Sequence, residues 1–220
     1  PEANLEFGSG ALQPRPQAQP IASGRAEMAL RYDPAAGRIN LTDFSVQSPS
    51  LRVKATGYSY LTRADGSAIL GGLAAELPDA FVTQLQFSQV MVDPEGLFQE
   101  PVSFSAGALD LRLRLEPFSI EIGQLTLADD KRRLTAKGVV SADDKGWMAA
   151  VDLGLNEIAH DRLLALWPVT LLPNTRGWVG RNVMKGALFD VKAALRIEPG
   201  SEPRLHLGYN FANADVRFVP

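Results

Sequence analysis

The sequence predicts an all-β, mainly antiparallel fold: a long twisted sheet built from repeated strand units, with two short helices around residues 160–183. Three observations lead there. Apolar residues recur with a period of two over most of the chain. Turn-forming residues interrupt that period about every 10–15 residues, and a pair of strands recurs 81 positions further on. A period of two sends successive side chains to opposite faces of a strand, whereas a helix would scatter them around its axis.

Residues 1–23 read as a strand followed by a proline-rich linker, since "ALQPRPQAQP" (11–20) holds three prolines and no apolar period. Residues 24–106 form the first β unit. Its "LRVKATG" (51–57) sets Leu51, Val53 and Ala55 against Arg52, Lys54 and Thr56. Residues 107–220 form the second unit. There "ALDLRLRLE" (108–116) aligns Leu109, Leu111, Leu113 and Leu115 against Asp110, Arg112, Arg114 and Glu116. In "GWMAAVDLGLN" (146–156), Trp147, Ala149, Val151, Leu153 and Leu155 share a face. In "GALFDVKAALRIE" (186–198), strict alternation aligns Ala187, Phe189, Val191, Ala193, Leu195 and Ile197, and "RLHLGYNF" (204–211) aligns Leu205, Leu207, Tyr209 and Phe211. Asp, Pro and Gly cluster at 33–37, 63–67, 93–96, 128–131, 142–146 and 198–203, where tight turns are expected. Short connections between long alternating runs imply antiparallel hairpins, about ten strands in all.

Sliding 39–57 onto 120–138 matches Ile39 to Ile120, Leu41 to Ile122, Phe44 to Leu125, Ala55 to Ala136 and Gly57 to Gly138 without a gap. Both copies change apolar phase at the same place, as a β-bulge requires. Upstream, Gly24–Pro34 resembles Gly107–Pro117, with the offset changed by two residues, and 85–92 loosely resembles 209–216. Repetition without covering helices suggests a sheet that grows unit by unit. The chain opens on Pro1 and closes on "DVRFVP", an unfinished strand, so it is expected to be a segment of a longer protein.

The region 160–186 breaks the alternation. Leu163, Leu164 and Trp167 fall at helical spacing before Pro168. Asn174 or Thr175 could cap a second helix carrying Trp178 and Val179 and stopping near Gly186. Two short helices plugging one end or edge of the sheet are expected.

Composition narrows the function. Apolar residues make up 45% of the chain and charged residues 21%, too apolar for a disordered chain. No apolar run is long enough for a membrane-spanning helix. With no cysteine, thiolate metal sites and redox motifs are excluded. A net charge of −3 gives no footprint for nucleic acid. His160 and His206 are the only histidines, and no phosphate loop, nucleophile elbow or HExxH pattern occurs. Asp129–Asp130 and Asp143–Asp144 read as solvated turns, each followed by lysine. The expectation is therefore no enzyme, no catalytic residue, no metal and no cofactor.

"LLALWPVTLLPNTRGWVGRNVMKGALFDVKAALRI" resembles a stretch of the AsmA-like family, the YhdP and TamB group of large periplasmic proteins of Gram-negative bacteria. The family pattern is carried by Trp167, Pro168, Pro173, Thr175, Arg176, Trp178, Val179, Asn182 and Gly186. "LQFSQVMVDPEG", "VSFSAGALDLRLRL" and "RLTAKGVVS" are similar to the family's repeated strands. The resemblance implies an elongated sheet curled into an open apolar groove, an inner-membrane anchor outside this segment, a periplasmic location, and conduction of phospholipids towards the outer membrane. It supplies no catalytic residues. The groove lining would then be Leu109, Leu111, Leu113, Val151, Leu153, Phe189, Val191 and Leu195, and the partners would be phospholipid acyl chains, neighbouring repeats of the same chain, and the two membranes reached by parts outside it. The alternative is a structural or interaction β-sandwich of the cell envelope, its core filled and without a ligand.

Overall fold

A computed structural model describes residues 2–13, 16, 21–70, 76–93, 98–169 and 173–217. Fourteen strands are formed: β1 (Glu2–Phe7), β2 (Gly10–Leu12), β3 (Ile21–Ser23), β4 (Arg25–Asp33), β5 (Arg38–Gln47), β6 (Leu51–Thr62) and β7 (Ala80–Val92), then β8 (Val102–Phe104), β9 (Ala106–Arg114), β10 (Ser119–Asp129), β11 (Arg132–Asp143), β12 (Gly146–Ala159), β13 (Val183–Ile197) and β14 (Arg204–Val216). Two helices, α1 (His160–Leu166) and α2 (Pro173–Asn182), sit between β12 and β13. Twelve strands make one open sheet in the order β1-β4-β5-β6-β7-β9-β10-β11-β12-β13-β14, with β8 against β7, and every pair is antiparallel.

This is an up-and-down meander. β2 and β3 pair as Gly10–Ser23, in register with the Phe7–Ala26 pair of β1 and β4, so they prolong the same hairpin. Leu12 lies in β2, while residues 14, 15 and 17–20 of the proline-rich stretch lie outside the described residues. β8 and β9 are likewise one strand broken at Ser105: β7 pairs β9 up to Phe87 and β8 from Val90. The expected turns at 33–37, 128–131, 142–146 and 198–203 join consecutive strands; 63–67 opens the longer β6–β7 connection, and most of 93–96 lies outside the described residues.

The repeat is visible in the hydrogen bonding. In β5, Leu41 faces Leu30 while Asp43 faces Ala29, so Thr42 is the extra residue of a bulge. In β10, Ile122 faces Leu111 while Gln124 faces Asp110, leaving Gly123 extra, 81 positions later. The glycines that end the repeated motif also correspond. A Cβ on Gly57 would stand 2.0 Å from the carbonyl oxygen of Gln84, and one on Gly138 would stand 2.1 Å from that of Ala150. Each lets the next strand approach its backbone. One expectation is corrected: the hairpins β4–β5 and β9–β10 keep the 81-residue offset throughout, so Ala26, rather than Gly24, corresponds to Gly107. The two-residue shift arose from matching glycines across strands that need no insertion.

Burial is concentrated at the two ends of the strands. At one end Val90, Val102, Phe104 and Leu127 form a buried cluster that also takes in Val53, Leu134 and Leu166 of α1. Side chains from β6 to β11 thus share one cluster with a helix residue. At the other end Phe118 and Ala142 pack with Leu113, Ile120 and Trp147, and Leu61 and Ile69 are fully buried. Among the described residues no second sheet packs on the first: the sheet is open, as expected, and the alternative two-sheet sandwich is not formed.

Candidate functional site

Directly opposed residues of an antiparallel pair project to the same side, so the register traces each face across the whole sheet. One row runs Ala3, Leu30, Leu41, Gly57, Leu85, Leu109, Leu125, Ala136, Leu153, Ala193, Leu207, one residue from each strand of the main path. A second runs Leu5, Met28, Phe44, Ala55, Phe87, Gly107, Leu127, Leu134, Leu155, Val191. A third is apolar from Leu111 through Ile122, Gly138, Val151 and Leu195 to Leu205. Towards β5 it carries Ser59 and Thr83, whose hydroxyls satisfy each other at 2.9 Å. Ten inter-strand steps of ~4.8 Å make this trough roughly 48 Å long.

Seven of the eight expected lining residues lie in it. Leu109 and Leu153 share the first row, Val191 lies in the second, and Leu111, Val151 and Leu195 share the third. Leu113 lies one row further, opposite Phe81 and Ile120. All seven are half-buried, as expected of a face without a covering layer. Phe189 is corrected. Asp190 takes a positive φ of 51° beside a register shift, which breaks the alternation of β13. Leu188 therefore joins Val191 in the trough, while Phe189 lies opposite Glu157 and Asn210 on the other face. Aspartate tolerates the left-handed region better than most residues, but nothing in the pattern "LFDVK" marks it.

The rims are built differently. At one, Gly37 (φ 57°) lets the segment carrying Ile69 fold over Leu61, and the Ile69 amide donates to the Leu61 carbonyl at 2.8 Å. Arg63 holds this segment through Glu76 at 2.7 Å. The Glu76 carboxylate raises the Arg63 pKa, and the Ser67 amide bonding to Asp65 holds that carboxyl below its ordinary value. At the other rim sit α1 and α2. Arg176 donates to the carbonyls of Leu164 (2.9 Å) and Trp167 (3.2 Å), satisfying orphan acceptors at the end of α1. It also reaches Gln99, in the β7–β8 connection, at 3.0 Å. One guanidinium thus fastens both helices to a distant part of the sheet.

The other motif residues have local roles. Trp167 is the C-cap of α1, with extended backbone, and Pro168 follows it. Pro173 opens α2, so Asn174 and Thr175 lie inside its first turn instead of capping it; proline suits that position because its missing N–H has no helical partner. Thr175 is exposed. Asn182 donates to the Trp178 carbonyl at 2.9 Å and ends the helix, so Gly186 lies within β13 (φ 152°) instead of stopping α2. Between the helices and the end of the sheet lies an apolar hollow of about 300 Å³, lined by residues including Leu163, Trp167, Trp178, Leu188, Val191, Leu207, Tyr209 and Phe211. The β14 members are exposed, Phe211 at 66% and Tyr209 at 52%, because β14 is the last strand of the sheet.

The opposite face is polar. Arg112 faces Glu121 at 3.7 Å and Arg196 bonds Asp152 at 2.7 Å. His206 lies beside Asp152, Lys137 and Lys192 in an open hollow of about 570 Å³ there. Asp129 pairs with Arg132 at 3.2 Å and Asp143 accepts the Lys145 amide, both in turns. Among the described residues no three His, Asp or Glu side chains gather to hold a metal, and no helix is long and apolar enough to cross a membrane. No family model, curated protein or solved structure matches this chain.

Proposed function

We propose that this chain is a section of a conduit for phospholipid acyl chains, within a periplasmic protein anchored in the inner membrane outside this segment. The observation that carries the reading is the unbroken apolar row across all eleven strands of the main path, with no second sheet against it among the described residues. Burial of one methylene is worth about 0.8 kcal/mol, so a few contacts hold a tail. Row after row of similar side chains makes neighbouring positions nearly equivalent, which favours movement over tight retention. An apolar surface of this extent marks an interaction site on a soluble domain. Compartment and membrane partners rest on the resemblance to AsmA-like proteins.

The test is a photo-crosslinking amino acid at Leu111 or Val191 in the full-length protein. Capture of phospholipid is the expected result. Crosslinks to protein alone would replace the conduit with an interaction module whose apolar face meets another polypeptide.

A further inference from the structure

We infer that the hollow between the two helices and β13–β14 is a discrete binding site for one acyl chain of a phospholipid, distinct from the open trough it adjoins. The inference rests on the conduit reading for the origin of the ligand, and on the geometry for its shape. Leu163, Trp167, Trp178, Leu188, Val191 and Tyr209 contribute to the lining, and among the described residues no charged side chain does. A headgroup therefore finds no charged partner among these side chains. The volume, about 300 Å³, excludes a peptide helix, which at about 10 Å across would fill it in less than one turn. A slender hydrocarbon fits. Val191 and Leu207 belong to rows of the trough, so the hollow is continuous with the proposed path. It differs from that path in having two helices over it, tied down through Arg176. A chain entering it exchanges a one-sided contact for one with the sheet on one side and the helices on the other, and pauses there.

The three tryptophans make the test direct. Trp167 and Trp178 line the hollow, while Trp147 packs edge-to-face on Phe118 at the opposite rim, with ring centroids 5.8 Å apart. Three full-chain variants each retain one tryptophan, with phenylalanine at the other two positions. They are mixed with phosphatidylcholine carrying one brominated acyl chain, and separately with brominated stearate. The phospholipid should quench Trp167 and Trp178 saturably and leave Trp147 bright. Across a series of single-chain lipids, affinity should rise about fourfold per methylene and then level off when the hollow is full. Equal quenching of all three tryptophans overturns the discrete site while leaving the conduit reading standing. Quenching of none overturns both. Quenching by stearate alone overturns the assignment to a phospholipid tail. Ala187→Leu, which narrows the hollow from β13, should abolish quenching of Trp167; if that variant does not fold, the chain-length series decides by itself.

Discussion

Leu153→Asp separates a conducting face from a packed core. Leu153 sits within the eleven-residue row, between Ala136 and Ala193, and in neither buried cluster. Leu113 is a poorer choice because it packs against Phe118 and Ala142, so an acid there disturbs the rim as well. At position 153 the carboxylate projects into the trough and stays hydrated, and the fold survives. A lipid tail passing it loses contact with about three methylenes, which at ~0.8 kcal/mol each raises the local barrier by about 2.4 kcal/mol. That corresponds to roughly 60-fold slower passage. The control is Val139→Asp, since Val139 lies on the opposite face between Glu121 and Ala150 and is already 42% exposed. The assay follows transfer of a fluorescent phospholipid between donor and acceptor vesicles, with circular dichroism to verify folding. A folded Leu153→Asp variant that transfers lipid within twofold of the parent, or a Val139→Asp variant equally impaired, refutes the reasoning.

Four further outcomes are expected. Gly138→Val, at φ 152° with a carbonyl 2.1 Å from the new Cβ, should destabilise the sheet by about 2 kcal/mol or more in denaturant titration, and Gly57→Val similarly; losses below about 0.5 kcal/mol would deny the close approach. Leu127→Ala, at a site only 7% exposed, should cost about 2–5 kcal/mol, and half-buried Leu109→Ala clearly less. Arg176→Met should speed amide exchange in 160–182 and leave β5–β11 protected, because its bonds to Leu164, Trp167 and Gln99 hold only the helices; uniform loosening would contradict this. Asp65 has a depressed pKa, so its contribution to the 63–67 turn is present above the ordinary carboxylate value and lost as pH falls through the folded-state value. The protection of the Ser67 amide relative to its intrinsic exchange rate should fall in acid, and Asp65→Asn should remove that pH dependence.

Much of this architecture was legible because the period of two is an unambiguous physical signal. It placed Leu109, Leu111, Leu113, Val151 and Leu153 on one face, and the shared phase shift at 41–44 and 122–125 located two bulges without coordinates. What it missed has local causes. Strict alternation carried through "LFDVK" put Phe189 on the wrong side, since a single residue at positive φ resets the phase and leaves no mark in hydropathy. The Asn174 and Thr175 cap reading failed because Pro173 already starts the helix. The tie from Arg176 to Gln99 spans 77 residues, beyond any local pattern. The hollow was hidden for the same reason: its walls come from three separate stretches of chain brought together by the return of β13 and β14.

The bulges at Thr42 and Gly123 act as parity corrections. Side chains alternate strictly along a strand, so the two residues between the apolar pairs, an even number, would turn half of each strand inside out. One unpaired residue restores the count, and the chemistry of that residue hardly matters, as threonine in one copy and glycine in the other attest. Deleting either should remove the bulge and leave Leu41 with Phe44, or Ile122 with Leu125, two positions apart on one face of a regular strand. A unit that carries its own correction can be duplicated whole without retuning its neighbours. Such a sheet can change length by copying while its greasy side stays on one side.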